Sequence, residues 1–223
     1  MKRHLLLPLL ACAAASMLDA APITCPTTAT LAQLIALSGT DGGCISQDKL
    51  FNNFSYTTAG TTGAADVNAT LVFQPGPNSQ DIHGWIFAPG SGPWTTGFDL
   101  SYTISVVPGT NVVINAAKDQ SNTGLLPNGD VVTDTQTPNT GSPMTLTTMG
   151  VSGGETAQVT FPAVTSITTS TVATVGSGNV LASYEQNWFE GPAAPSVPEP
   201  PGFTYGLLGG GFLLLGLMRF RKA

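Results

Sequence analysis

The chain has 223 residues, enough for one sizeable domain and not comfortably for two. Only 9% of its residues are charged, against about 25% in typical globular chains, and Gly, Ser, Thr and Asn fill the polar positions instead. The formal charge is −6, and between Ala21 and Val197 the only cations are Lys49 and Lys118, with no arginine; a nucleic-acid surface needs clustered cations to neutralise phosphates, so that class is excluded.

Residues 1–20 read as a secretory signal peptide. Lys2 and Arg3 form the positive start, Leu5 to Ala15 the apolar core, and Ala20 the small residue before the cut. Cleavage after Ala20 is the first reading. Lipoprotein processing at Cys12, in Leu9-Leu10-Ala11-Cys12, is the alternative.

The ectodomain, 21–190, opens with Cys25 and Cys44. Between them Thr28 to Ser38 carries apolar residues at Leu31, Leu34, Ile35 and Leu37, which suits a short helix with one buried face. Thr28 or Thr30 can cap its start, and Gly39 is expected to end it in the left-handed region. Export places the chain in an oxidising compartment, and two mature cysteines make an even count, so a Cys25–Cys44 disulfide is predicted. Closing so short a loop contributes roughly 3 kcal/mol in the chain-entropy treatment. A cysteine metal site or nucleophile is the alternative; a single mature histidine argues against both.

From there the apolar period is two. Phe98, Leu100, Tyr102, Ile104 and Val106 alternate with Asp99, Ser101, Thr103 and Ser105, which argues a strand with one face buried and one wet. Val67, Ala69, Leu71 and Phe73 repeat the pattern. Further candidates are Ile82–Phe87, Asn111–Ala116, Asp130–Thr135, Thr145–Thr148, Thr156–Phe161, Thr165–Val175 and Asn179–Glu185, separated by Gly and Pro clusters. About ten short strands with turn signals every 8–12 residues predict an antiparallel, jelly-roll-like β-sandwich with one short N-terminal helix.

Few residues carry chemistry. His83 is the one mature histidine, and in Asp81-Ile82-His83 the Asp and His would share a strand face, so a catalytic pair is conceivable beside a structural role. The carboxylates Asp41, Asp48, Asp66, Asp81, Asp99, Asp119, Asp130, Asp134, Glu155, Glu185 and Glu190 are scattered, with no spacing that picks out a glycosidase pair. Asp119, Asn122, Asn128, Asp130 and Asp134 could offer oxygens to Ca²⁺, without a recognised calcium pattern. Trp85, Trp94 and Trp188 with Tyr102 and Tyr184 form either a sugar-stacking platform or core. Thr169-Ser170-Thr171 is an isolated Thr-x-Thr with no repeat period around it to build an ice-binding array. No catalytic residue, metal site or cofactor is assigned.

Residues 191–201 are a Pro-rich linker, ending in the motif Val197-Pro198-Glu199-Pro200. An uncharged apolar segment follows at 202–218, of which Phe203 to Met218 would reach roughly 24 Å as a helix, against a bilayer core of about 30 Å. Arg219, Arg221 and Lys222 close the chain at 219–223 and hold that end on the cytoplasmic side. A plain single-pass anchor is one reading of this end. Its three-part order resembles the PEP-CTERM sorting signal of Gram-negative bacteria, a signal that also occurs on some proteins labelled ice-binding. The resemblance implies export, transient retention by a transmembrane helix, and processing near Pro198-Glu199-Pro200 by an exosortase, often coupled to exopolysaccharide and biofilm display. The stretch from Cys25 to Thr57 is also similar to the start of an ectodomain that recurs among PEP-CTERM proteins. There a Leu/Ala helix leads to Gly-Cys and then to an Asp-Lys-x-Phe-x-x-Phe-x-Tyr strand, matched here by Gly43, Cys44, Asp48, Lys49, Phe51, Phe54 and Tyr56.

The function expected is therefore a non-enzymatic cell-surface or extracellular-matrix protein, with an exosortase, the membrane and exopolysaccharide as partners. The alternatives are a carbohydrate-binding module and a secreted hydrolase with an unrecognised site.

Overall fold

A computed structural model describes residues 21–76, 80–124, 131–149 and 155–193. The predicted signal peptide, Asn128 and Asp130, the Val197-Pro198-Glu199-Pro200 stretch read as a sorting motif, the apolar segment and the basic tail lie outside the described residues. Among the described residues no helix is long and apolar enough to cross a membrane.

The chain begins with β1 (Ile23–Thr24), β2 (Thr28–Thr30) and the helix α1 (Leu31–Thr40). Thr30 caps α1: its hydroxyl accepts from the Gln33 amide at 3.3 Å, while Gln33 Oε1 accepts from the Thr30 amide at 2.8 Å. Leu31 and Leu34 are the buried face. The helix starts later than the apolar spacing predicts because Thr28, Ala29 and Thr30 pair as a strand with Thr70, Ala69 and Asn68. It also passes Gly39, the expected stop. The amides of Asp41 and Gly43 both bond the Leu37 carbonyl, and the left-handed turn falls on Gly42 and Gly43, with φ of 66° and 106°. A Cβ on Gly43 would lie 2.2 Å from the Phe51 carbonyl oxygen.

β3 (Cys44–Ser46) and β4 (Lys49–Thr58) follow, then β5 (Val67–Gln74), β6 (Ile82–Pro89), β7 (Phe98–Val106) and β8 (Val112–Gly124). The remaining strands are β9 (Val131–Pro138), β10 (Met144–Met149), β11 (Glu155–Val164), β12 (Ser166–Thr174) and β13 (Val180–Pro192). They form a seven-stranded sheet, β1-β3-β4-β7-β12-β9-β10, and a six-stranded sheet, β11-β8-β13-β6-β5-β2. Every pairing is antiparallel except β1 with β3. The last strand takes in Gly191 and Pro192, two residues into the stretch read from sequence as linker.

The two sheets share one aromatic core. Phe51, Phe54 and Tyr102 of the seven-stranded sheet meet Trp85, Phe87 and Trp188 of the six-stranded one, with ring centroids 5.4–6.3 Å apart across the sheets. Strand alternation would send Phe51 and Phe54 to opposite faces, since they are three residues apart. A bulge between Asn52 and Ser55, with Asn53 at φ 56°, brings both inside. Cys25 and Cys44 are disulfide-bonded with Cα atoms 4.7 Å apart, tying the start of the ectodomain to β3.

Candidate functional site

The aromatics named as a sugar platform are core residues. Trp85, Tyr102 and Tyr184 are 0% exposed, and Trp94 and Trp188 are 1% exposed, so none offers a face to a ligand. The reason is phase: Trp85, Tyr102, Tyr184 and Trp188 fall on the inward positions of their strands. Thr169 and Thr171 likewise point inward, so Thr-x-Thr is not a surface array.

Those two threonines belong to a polar patch between the sheets. Both hydroxyls donate to Asp134 Oδ1, at 2.6 and 2.9 Å, and the Gln136 amide donates to Asp134 Oδ2. Gln186 Nε2 donates to Thr169 at 2.7 Å and to the Tyr184 hydroxyl at 3.0 Å, while Trp188 Nε1 donates to Gln136 Oε1 at 3.2 Å. Asp119 enters from β8 on the opposite sheet. Burial and the Asp134 charge push the Asp119 carboxyl well above the usual carboxylate range; burial also raises Asp134, against the donors of Thr169, Thr171 and Gln136. Two buried acids in one low-dielectric pocket do not both ionise. Of the residues weighed for Ca²⁺, then, Asp119 and Asp134 turn into the core, and Asn122 bonds Ser183 at 2.9 Å.

A second charged cluster lies between the sheets around the start of β4. Asp48 comes from the β3–β4 turn, Lys49 from the first position of β4, His83 from β6 and Glu190 from β13. Lys49 is wholly buried. Its ammonium donates to Asp48 Oδ1 at 2.6 Å and to Glu190 Oε2, which it contacts directly. His83 Nε2 lies 3.6 Å from Asp48 Oδ1 and 3.5 Å from Glu190 Oε2, and neither ring nitrogen makes a hydrogen bond. Burial first, and then the Lys49 charge, lower His83 to about 4, so the ring is neutral at physiological pH. Burial raises the Glu190 carboxyl, and Lys49 opposes that rise. Asp48, His83 and Glu190 each bring a donor atom within 4.8 Å of the others, a spacing that suits a cation. The Lys49 ammonium is that cation. Asp81, weighed from sequence as a partner for His83 beside a structural role for the ring, accepts from the Gly76 amide at 2.8 Å.

Sequence reasoning missed this cluster because its members stand at 48, 49, 83 and 190. One signal was present: Lys49 is two residues before the inward Phe51, which places one of the two ectodomain cations on a core phase.

The outer face of the six-stranded sheet carries the groove. The register lines up Gln74, Ile82, Phe189, Ala116 and Thr160 as one row across β5, β6, β13, β8 and β11. A cleft of about 420 Å³ follows that row, lined further by Gln80, Asn115 and Gln158. Glu190 also borders it, with its carboxylate engaged by Lys49. In the next row on the same face, Asn187 lies over Gly84, where a Cβ would come within 2.3 Å of Asn187 Oδ1. Glycine there lets the side-chain amide lie flat and donate to Glu185 at 2.6 Å.

No family model and no curated protein matches the chain. Among solved structures, TmCBM61 in complex with β-1,4-galactotriose overlaps 62% of this chain and 88% of its own, at 10% identity and a TM-score of 0.33. The family 11 carbohydrate-binding module from Clostridium thermocellum, in complex with a β-1,3-1,4-mixed-linked tetrasaccharide, overlaps 64% of this chain and 89% of its own, at 12% identity and a TM-score of 0.26. The enzymatically active domain of bacteriophage CBA120 tailspike protein 4 overlaps 66% of this chain but 19% of its own, at 8% identity and a TM-score of 0.31. Overlaps this loose carry no weight for ligand or reaction, and the architecture rests on the strand register itself.

Proposed function

We propose that this is an exported, non-enzymatic surface protein whose sandwich holds extracellular polysaccharide in the groove on the outer face of its six-stranded sheet. The observation that carries the reading is the lining of that groove: the amides of Gln74, Gln80, Asn115 and Gln158 around the half-buried Phe189 and Ile82. A carboxamide offers both donor and acceptor to sugar hydroxyls, and an aromatic ring packs against the apolar face of a pyranose. Hydrolysis would need a facing acid and base. Among the described lining residues only Glu190 carries a carboxyl group, and it is turned to Lys49.

Affinity electrophoresis against exopolysaccharide from the producing cells, followed by a glycan array, tests this. The exported protein should be retarded, and Gln158→Ala with Phe189→Ala should weaken binding at least about tenfold, equivalent to about 1.4 kcal/mol. Unchanged retardation in the double variant removes the groove from the reading. Release of reducing ends by the purified protein would favour a hydrolase.

A further inference from the structure

We propose that Lys49 and Glu190 condense to an isopeptide bond that joins the two sheets of the sandwich covalently. The inference stands apart from the groove and from any ligand. Its basis is the composition of the cluster around Lys49. An amine and a carboxyl group are in direct contact, 141 residues apart in sequence, one on β4 of the seven-stranded sheet and the other on β13 of the six-stranded sheet. Both side chains have little exposed surface, at 1% and 3%, and Glu190 borders the groove. A second carboxylate, Asp48, touches the same Nζ at 2.6 Å, and the neutral His83 lies 3.5 Å from the Glu190 oxygen. The Phe73 ring lies against the His83 ring, with centroids 5.2 Å apart.

These groups are the parts an amide condensation needs. Burial disfavours the Glu190 carboxylate, so passing a proton across the contact to neutralise the pair costs less here than in water. Glu190 Oε2 takes one proton from the Lys49 ammonium that it contacts, which leaves a neutral amine facing a neutral acid. The freed lone pair on Nζ attacks Glu190 Cδ, the carbonyl electrons move onto Oε1, and Asp48 Oδ1, 2.6 Å from Nζ, takes a second proton from nitrogen. Asp48 passes that proton to the Oε2 hydroxyl, which leaves as water while the carbonyl re-forms, and His83 Nε2, 3.5 Å from Oε2, is placed to hydrogen-bond the departing oxygen. Ammonium and carboxylate become one amide and one water, with no oxidant or other co-reactant. The fold supplies the proximity, since it holds both reactants in contact. Asp48 is 21% exposed, which gives the water a way out.

The test is the mass of the exported protein recovered from the envelope, measured intact and compared with the sequence between its own mapped ends. The expected form is lighter than its sequence by one water, beyond the two hydrogens of the disulfide. Digestion should give a branched peptide joining Lys49 to Glu190 that survives reduction and boiling. Lys49→Arg should restore the missing water while keeping the near-ultraviolet spectrum of the folded protein. Asp48→Asn should slow or abolish bond formation in a chain that still folds. Asp41-Gly42 can also lose water by cyclising, so a deficit that maps to Asp41 overturns the proposal. An unmodified mass in folded, aged wild-type protein overturns it as well.

Discussion

Asp119 sits at 1% exposure beside a second acid, and the two are not equivalent. Asp134 has Thr169, Thr171 and Gln136 as donors, so the ionised form is favoured there. Asp119 therefore holds the proton. Its folded-state value lies above the ordinary one, so between the two the native chain binds a proton that the unfolded chain has lost. Stability from this group falls as pH rises through that window. Glu190 is raised and acts with the same sign. His83 acts with the opposite sign: lowered to about 4 from 6.5, it favours folding above its unfolded value and loses that contribution on acidification through about 4. Asp119→Asn removes only the first effect. The variant should match or exceed wild type in stability at neutral pH and lose that advantage progressively as wild-type Asp119 becomes protonated in both states. Denaturant melts of both proteins across pH read the difference directly. A difference that stays flat with pH would mean that Asp119 titrates alike folded and unfolded.

At the scale of elements, β4 carries most of what positions the core and the charged cluster. Its inward face begins at Lys49, passes Phe51, and reaches Phe54 only because Asn53 adopts a left-handed conformation. Asn tolerates that region better than other residues with a Cβ, and a β-branched side chain tolerates it poorly. Asn53→Gly should change stability by no more than a few tenths of a kcal/mol, while Asn53→Val should cost about 1–3 kcal/mol. Equal melting temperatures for the two variants would mean the bulge relocates. The disulfide acts on the neighbouring element, because β1 has only two residues and a single partner strand. Cys44→Ser should cost about 2–4 kcal/mol. Non-reducing peptide maps of envelope protein should show the Cys25–Cys44 peptide, and two free thiols there would contradict the bridge.

At the scale of the whole molecule, the proposed function joins the sandwich to a C-terminal sorting signal. Pro198 and Pro200 lack amide donors and resist helix, so on that reading an apolar helix after them would stop short of the motif. Arg219, Arg221 and Lys222 would cost about 2.5–3.5 kcal/mol each to draw through hydrocarbon on insertion scales, which on the same reading would keep that end cytoplasmic. The proposed course is transient anchoring, then release by an exosortase to the surface. Cells with the exosortase should yield a surface form that ends near Pro200, and Glu199→Ala should leave the chain uncut in the inner membrane. Intact masses from strains with and without the enzyme decide this. If the form ending at Ala223 reaches the surface in both, the end is a plain anchor.

Composition and period two were enough to read a mainly β chain. Where the inward face is apolar throughout, as in β7, the strand was legible to its ends. The sequence also carried the two cysteines and the capped helix, since these depend on local spacing and compartment. β8 and β13 run well beyond their predicted ends because the inward residues there include Asp119, Ser121 and Gln186, which break an apolar pattern while keeping the strand phase. Only the tertiary structure could decide which polar residues are buried. Burying Asp134 or Lys49 depends on partners that arrive from other strands: Thr169 and Thr171 for one, Glu190 for the other. The same holds for the groove, since Gln74, Ile82, Phe189 and Ala116 become neighbours through strand order and register, which a linear pattern does not specify.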